Sequence, residues 1–144
     1  PTDHAGKLIL INNSTLTITL PTINADGLVA SAGPFRKGGG PNTLSNVGIE
    51  YRFLMLTSSG SSTTIGSATV GDIMIGSMVQ GKAGLGAVHV FEPNGSSNYQ
   101  LVFDGSTTGG VAGSYFSITA VFANRYLVQG VNLGSSTLAT PFSG

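Results

Sequence analysis

Residues 15–20 read Thr-Leu-Thr-Ile-Thr-Leu, a strict alternation of hydroxyl and aliphatic side chains. Side chains of an extended chain point to opposite faces in turn, so Leu16, Ile18 and Leu20 share one face and the three threonines share the other. The run before it, Lys7-Leu8-Ile9-Leu10-Ile11, is short and apolar without alternation, which predicts a strand buried on both faces. Asn12-Asn13-Ser14 between them is turn chemistry, because Asn tolerates positive φ and bonds its own backbone. The three pieces together predict a β-hairpin, ended by Pro21, which cannot donate to a ladder.

Working outward, the β signal continues. Gly27-Leu28-Val29-Ala30 suits a short edge strand. Residues 32–41 hold two prolines and four glycines and read as a loop that places Arg36 and Lys37 side by side. Residues 48–56 form a strand with Ile49, Tyr51, Phe53 and Met55 on one face, and Ser58 to Thr64 is a polar turn. Asp72-Ile73-Met74-Ile75 opens another strand, at which Gly76 marks a bulge or a close backbone approach. A glycine loop at 81–86 leads to the alternating Ala87-Val88-His89-Val90-Phe91 and a turn at Glu92-Pro93-Asn94-Gly95. Tyr99, Leu101 and Phe103 share a strand face. After a third glycine loop, residues 105–113, a hairpin joins Ser114–Phe122 to Arg125–Val131 around Ala123-Asn124. The tail, residues 132–144, reads as irregular. No window has helical period with caps. About eight short strands predict one all-β domain over residues 1–144, an antiparallel sandwich or barrel with little or no helix.

Composition narrows the function. Of 144 residues only six are Lys or Arg and six are Asp or Glu, so 8% are charged where a soluble domain carries about 25%. Gly accounts for 22 residues, and Ser and Thr surround them. Six scattered cations make no nucleic-acid surface. The longest apolar run is four residues, against about 18 for a membrane span. The absence of Cys removes disulfides, thiolate zinc sites and Cys nucleophiles. No secretory signal is visible, and Pro1 suggests an initiator Met removed from an intracellular product. A neutral, charge-poor surface predicts poor colloidal stability for a free monomer and suits a subunit buried against others.

Motifs for chemistry are thin. Gly76-Ser77-Met78-Val79-Gln80-Gly81-Lys82 has phosphate-loop spacing, but Ala83 stands where Ser or Thr holds magnesium, and no helix follows. His4 and His89 are far apart, short of a three-ligand zinc site. The carboxylates Asp3, Asp26, Glu50, Asp72, Glu92 and Asp104 are each separated by at least ten residues, and the chain has no Trp platform for a sugar. Asp104 and Glu92 suit strand ends, and Glu50 and Arg52 can pair on one face. The sequons at Asn12, Asn13 and Asn94 read as turns. No catalytic residue, cofactor or metal is assigned, and no enzyme activity is expected.

The order of the elements resembles small virion proteins of tailed bacteriophages. Gly6-Lys7 with Leu8 to Asn12 and then Thr17-Ile18-Thr19-Leu20-Pro21 is similar to their opening element. Asp72-Ile73-Met74-Ile75-Gly76 is similar to a central D-x-M-x-G, and Asp104-Gly105-Ser106-Thr107-Thr108-Gly109-Gly110 with Gly113 to a glycine-rich turn. Arg125 to Gly130 resembles W-x-V-x-G with Tyr126 at the Trp, and Ala139-Thr140-Pro141-Phe142-Ser143 resembles a near-terminal A-T-P-F-S. Residues 31–45 depart from the pattern as an insertion. The resemblance implies a capsid decoration (cement) protein on the virion exterior, made in the bacterial cytoplasm. Its partners would be the major capsid protein and itself, as a trimer, with no nucleic acid or membrane. On this reading the arm over residues 1–7, with Thr2, Asp3, His4 and Lys7, is a candidate capsid contact. So is the loop carrying Phe35, Arg36 and Lys37. The tail residues Leu138, Pro141 and Phe142 are candidates for exchange between subunits. The alternative is a tail-fibre or head-fibre module that binds a host glycan through an exposed Tyr51, Tyr99, Tyr115 or Tyr126.

Overall fold

The computed structural model describes residues 6–23, 46–82, 84 and 86–144. The candidates Thr2, Asp3, His4, Phe35, Arg36 and Lys37, and the strand expected at Gly27–Ala30, lie outside these residues. Ten strands and no helix occur among the described residues. In chain order they are β1 (Leu8–Ile11), β2 (Thr15–Leu20), β3 (Glu50–Met55), β4 (Ser62–Ser67) and β5 (Ile73–Lys82). There follow β6 (Val88–Phe91), β7 (Gln100–Phe103), β8 (Tyr115–Phe122), β9 (Arg125–Gly134) and β10 (Phe142–Ser143). They form a six-stranded sheet, β1-β3-β8-β9-β5-β6, and a four-stranded sheet, β10-β7-β4-β2. The two sheets share one core, in a sandwich-like arrangement.

The first two strands are not a hairpin. β1 pairs in parallel with β3 in the six-stranded sheet, and β2 pairs in parallel with β4 in the four-stranded sheet. Asn12-Asn13-Ser14 therefore arches from one sheet to the other. The same arch recurs between β3 and β4, and the two stack: Leu56 N donates to Ile11 O at 2.8 Å, Gly60 N to Ser14 O at 2.6 Å, and Thr57 Oγ1 to Asn12 Oδ1 at 2.7 Å. Alternation cannot separate the two cases. A strand with one apolar face points it into the core from either sheet, and only the partner strand decides. Stacked arches also make the pairing parallel, so the sheets are mixed rather than antiparallel throughout; β5 and β9 form a third parallel pair.

Three further expectations change. β1 is an edge strand with Leu8 and Leu10 exposed and Ile11 buried, so one face rather than both is covered. The polar stretch Ser58–Thr64 runs into β4, where Thr63 and Ile65 are fully buried opposite Phe103 and Leu101. The irregular tail contributes the end of β9 and the short edge strand β10. By contrast, the β8–β9 hairpin turns at Ala123-Asn124 as expected, with Asn124 at φ 58°. The alternating faces of β3 and β7 are also as read, with Tyr51, Phe53, Met55, Leu101 and Phe103 buried. The phosphate-loop look-alike is the body of β5, extended chain rather than a cradle. Within it Gly76 has φ +100°, and a Cβ there would stand 2.3 Å from Val128 O, so the glycine marks a close approach inside a continuous strand.

The sheets are joined by aromatic contact. Phe53 and Phe116, register partners in the six-stranded sheet, stack at 5.2 Å, and Phe103 of the opposite sheet meets Phe116 at 5.4 Å. All three are fully buried. Truncating Phe116 removes both contacts and leaves a cavity between the layers, so Phe116→Ala is expected to cost about 3–5 kcal/mol, measured as the shift in denaturant midpoint at constant slope.

Candidate functional site

Two ends of the sandwich carry its polar chemistry. At one end the chain's described segments converge. Gly6 N donates to Glu50 O at 2.9 Å, and the Arg52 guanidinium donates to Gly6 O. Four residues before Glu50, Asn46 Nδ2 donates to Thr22 O at 3.0 Å. Gly6, Thr22 and Asn46, described residues next to or near the two stretches that are not described, therefore lie at one end of the sandwich. This end is pinned by Asp72, which is fully buried and accepts from Ile23 N at 3.0 Å and Ser67 Oγ at 2.8 Å. Its own N–H donates to Thr69 O at 3.0 Å, and Thr22 and Thr69 join hydroxyls at 2.7 Å. The Tyr126 hydroxyl donates to Pro21 O. Burial pushes the Tyr126 phenol pKa up, with Tyr51 and Asp72 adding to the shift, so it stays a donor. Burial likewise raises Tyr51.

At the opposite end the glycine turn is a built object. The Asp104 carboxylate accepts from Ser106 N at 2.7 Å and Thr108 N at 3.0 Å through Oδ1, and from Thr107 Oγ1 at 2.6 Å through Oδ2. Partial burial pushes its pKa up. The Thr107 hydroxyl and the backbone N–H groups of Ser106, Thr108 and Thr107 outweigh that and hold it at about 2. Asn132, fully buried on β9, clamps the turn from below: Oδ1 accepts from Gly110 N at 2.7 Å and Nδ2 donates to Thr108 O at 2.9 Å. Gln80 Nε2 adds a bond to Thr107 O at 2.7 Å. Gly109 has φ +83°, and a Cβ there would sit 2.2 Å from Asn132 Nδ2, so the turn admits only glycine at that position.

The two outer faces differ. That of the four-stranded sheet is hydroxylated, with Thr15, Thr17, Thr19 and Ser62 exposed and Thr17 opposite Thr64. That of the six-stranded sheet exposes Leu8, Leu10, Val79, Val88, Val90, Tyr115 and Val131. A small apolar hollow of about 70 Å³ opens beside the edge strands β1 and β2, lined by Ile9, Ile18, Leu20, Pro21, Tyr51 and Phe53 with Thr19. Ligand pockets usually run to roughly 300 Å³ or more. Tyr51 and Tyr126 are core residues, Tyr99 is half-buried, and Tyr115 alone of the four is exposed, so they do not line one aromatic platform. Among the described residues no three His, Cys, Asp or Glu side chains gather to hold a metal ion. Glu50 and Arg52 approach to 3.9 Å on the surface. His89 is exposed on β6 with its ring stacked 5.9 Å from Phe91. Asn94 builds its turn by accepting from the N–H groups of Ser96, Ser97 and Asn98.

Of the described candidates, Lys7 is exposed beside β1, next to Gly6. The tail candidates fall elsewhere. Phe142 is 5% exposed and pairs with Leu101, and Pro141 is buried with its carbonyl accepting from Val102 N at 2.8 Å. Leu138 is half-buried, next to Ala139, whose N–H donates to Thr107 O at 2.9 Å. In this chain the tail closes its own sandwich. Sequence reading missed the Asp72 and Asn132 clamps, because a single buried polar residue has no periodic signature.

Comparison with known proteins finds no family model, curated protein or solved structure that matches this chain.

Two predictions follow from the glycine-turn end. Asn132→Ala strands Gly110 N and Thr108 O, with an expected loss of about 2–4 kcal/mol in chemical denaturation. Asp104 titrates lower in the folded than in the unfolded chain, where the ordinary value is 3.8. Its stabilisation is thus full above the unfolded value and is lost as pH falls towards about 2. The thermal midpoint should fall through that window, and Asp104→Asn, which does not titrate, should flatten the fall.

Proposed function

We propose that this protein is a bacteriophage capsid decoration protein, which binds the major capsid shell as an oligomer and stabilises it without catalysis. The observation that carries the reading is where the two candidate contact segments are rooted. The arm over residues 1–7 and the loop over residues 35–39 are the stretches expected from sequence to reach the shell, and the described residues that precede or follow the parts of the chain holding them lie at one end of the sandwich. A sandwich whose two candidate contact segments are rooted at one end is suited to a bridging role. Each segment makes a weak contact, and avidity across several subunits supplies the affinity. The ordered resemblance to small virion proteins and the charge-poor composition support the same reading.

On this reading the sandwich transmits load between capsid subunits and opposes internal DNA pressure. Asp72 matters because it ties Ile23, the last described residue before the second candidate segment, to the body of the fold. Lys7, at the root of the arm, is the described cation best placed to meet an acidic shell residue.

Imaging of virions with and without this chain tests the proposal. Density on the capsid shell is expected, with virions that lack the chain releasing DNA at lower temperature and after milder osmotic shock. Density on tails, or unchanged resistance to heat and shock, would overturn it; tail density together with glycan binding would favour the fibre reading.

A further inference from the structure

Residues directly opposite on neighbouring strands share a face of the sheet. The register of the six-stranded sheet therefore traces one line across all of its strands. Leu10 on β1 lies opposite Leu54 on β3, and Leu54 opposite Tyr115 on β8. Tyr115 lies opposite Val131 on β9, Val131 opposite Val79 on β5, and Val79 opposite Val90 on β6. Every member is apolar, and all point away from the core. Leu10 is 55% exposed, Tyr115 44%, Val131 48%, Val79 37% and Val90 60%. Five inter-strand steps make the row about 24 Å long. Leu8 widens it on one side, and Val88, opposite Gly81, on the other.

We infer that this row is a self-association face through which two copies of the chain pair, six-stranded sheet against six-stranded sheet. Three observations select a second copy. First, with Leu8 and Val88 the residues of the row expose on the order of 650 Å² in all, backbone and hydroxyl atoms included, at the upper end of the largest patch a monomer usually leaves bare and approaching the roughly 800 that each side of a standard interface contributes. Second, the row contains no charged side chain. The nearest charges in register on β3, Arg52 and Glu50, already approach each other at 3.9 Å. A partner surface that suits the row is uncharged and apolar, and the same row of a second copy is such a surface. Third, the row is complementary to itself. A twofold axis in the contact plane, passing between β8 and β9, reverses the row onto its copy. Leu10 then meets Val90 of the second copy, Leu54 meets Val79, and Tyr115 meets Val131. Each larger side chain faces a valine, the size alternation that lets two sheets interdigitate. The hydroxylated outer face of the four-stranded sheet offers no such row.

The pairing departs from the trimer that the family resemblance implies, and it stands apart from the virion reading, since mass in solution tests it without a capsid. Sedimentation equilibrium of the full chain should give twice the chain mass. Val79→Lys with Val131→Lys, both on the outer face, should give the chain mass with an unchanged β-sheet circular dichroism spectrum. Orientation is tested by disulfide trapping, because the chain has no cysteine of its own. Tyr115→Cys protein mixed with Val131→Cys protein should form a mixed disulfide dimer on mild oxidation, at least tenfold faster than a mixture of Leu10→Cys with Val131→Cys. A monomeric or trimeric wild-type mass, or equal trapping in both mixtures, would overturn the inference. The trapping result decides even if the lysine variant fails to fold.

Discussion

The fold depends on the contact of three phenylalanines across the gap between two sheets. Phe53 and Phe116 stack within the larger sheet, and Phe103 reaches Phe116 from the smaller one. With no helix among the described residues to cover either sheet, the inner faces have only each other to bury against, and aromatic side chains supply the most area per position. The remaining core follows from this seat. Met55, Met78, Ile118 and Val128 from one layer, and Ile65 and Leu101 from the other, fill in around the rings.

Closing the ends of such a sandwich is a polar problem, because chain that crosses between sheets exposes backbone groups no ladder satisfies. The protein solves it twice with a buried side chain aimed at backbone. Asp72 holds the exit of β2, and Asn132 with Asp104 holds the glycine turn. These locks explain the motifs on which the phage resemblance rests. Asp72 is a clamp and Met74 a core residue; Gly76 allows a close approach. Tyr126 and Val128 are buried, and Phe142 completes an edge. These motif residues hold structural positions, so this part of the resemblance bears on how the chain folds.

Read from sequence alone, the all-β class was legible because alternation and turn chemistry are local. Thr15 to Leu20, Tyr51 to Met55 and the Ala123-Asn124 hairpin needed no knowledge of partners. β4 was hidden because Ser62-Thr63-Thr64 is as polar as a loop, and Thr63 is buried only because Phe103 lies opposite it. The tail was hidden because a two-residue strand has no period. Its Phe142 is buried where β10 pairs with β7, opposite Leu101.

What the sequence determined by itself was which side chains share a face, because that follows from the two-residue repeat of an extended chain. It also determined the scarcity of charge, and with it the kind of surface this protein can offer. What only the tertiary structure decided was pairing: that β1 and β2 belong to opposite sheets, that three pairs run parallel, and that six apolar residues from six strands fall into one row. Register between strands distant in the chain is set by how two layers close over a common core, and no local pattern encodes it.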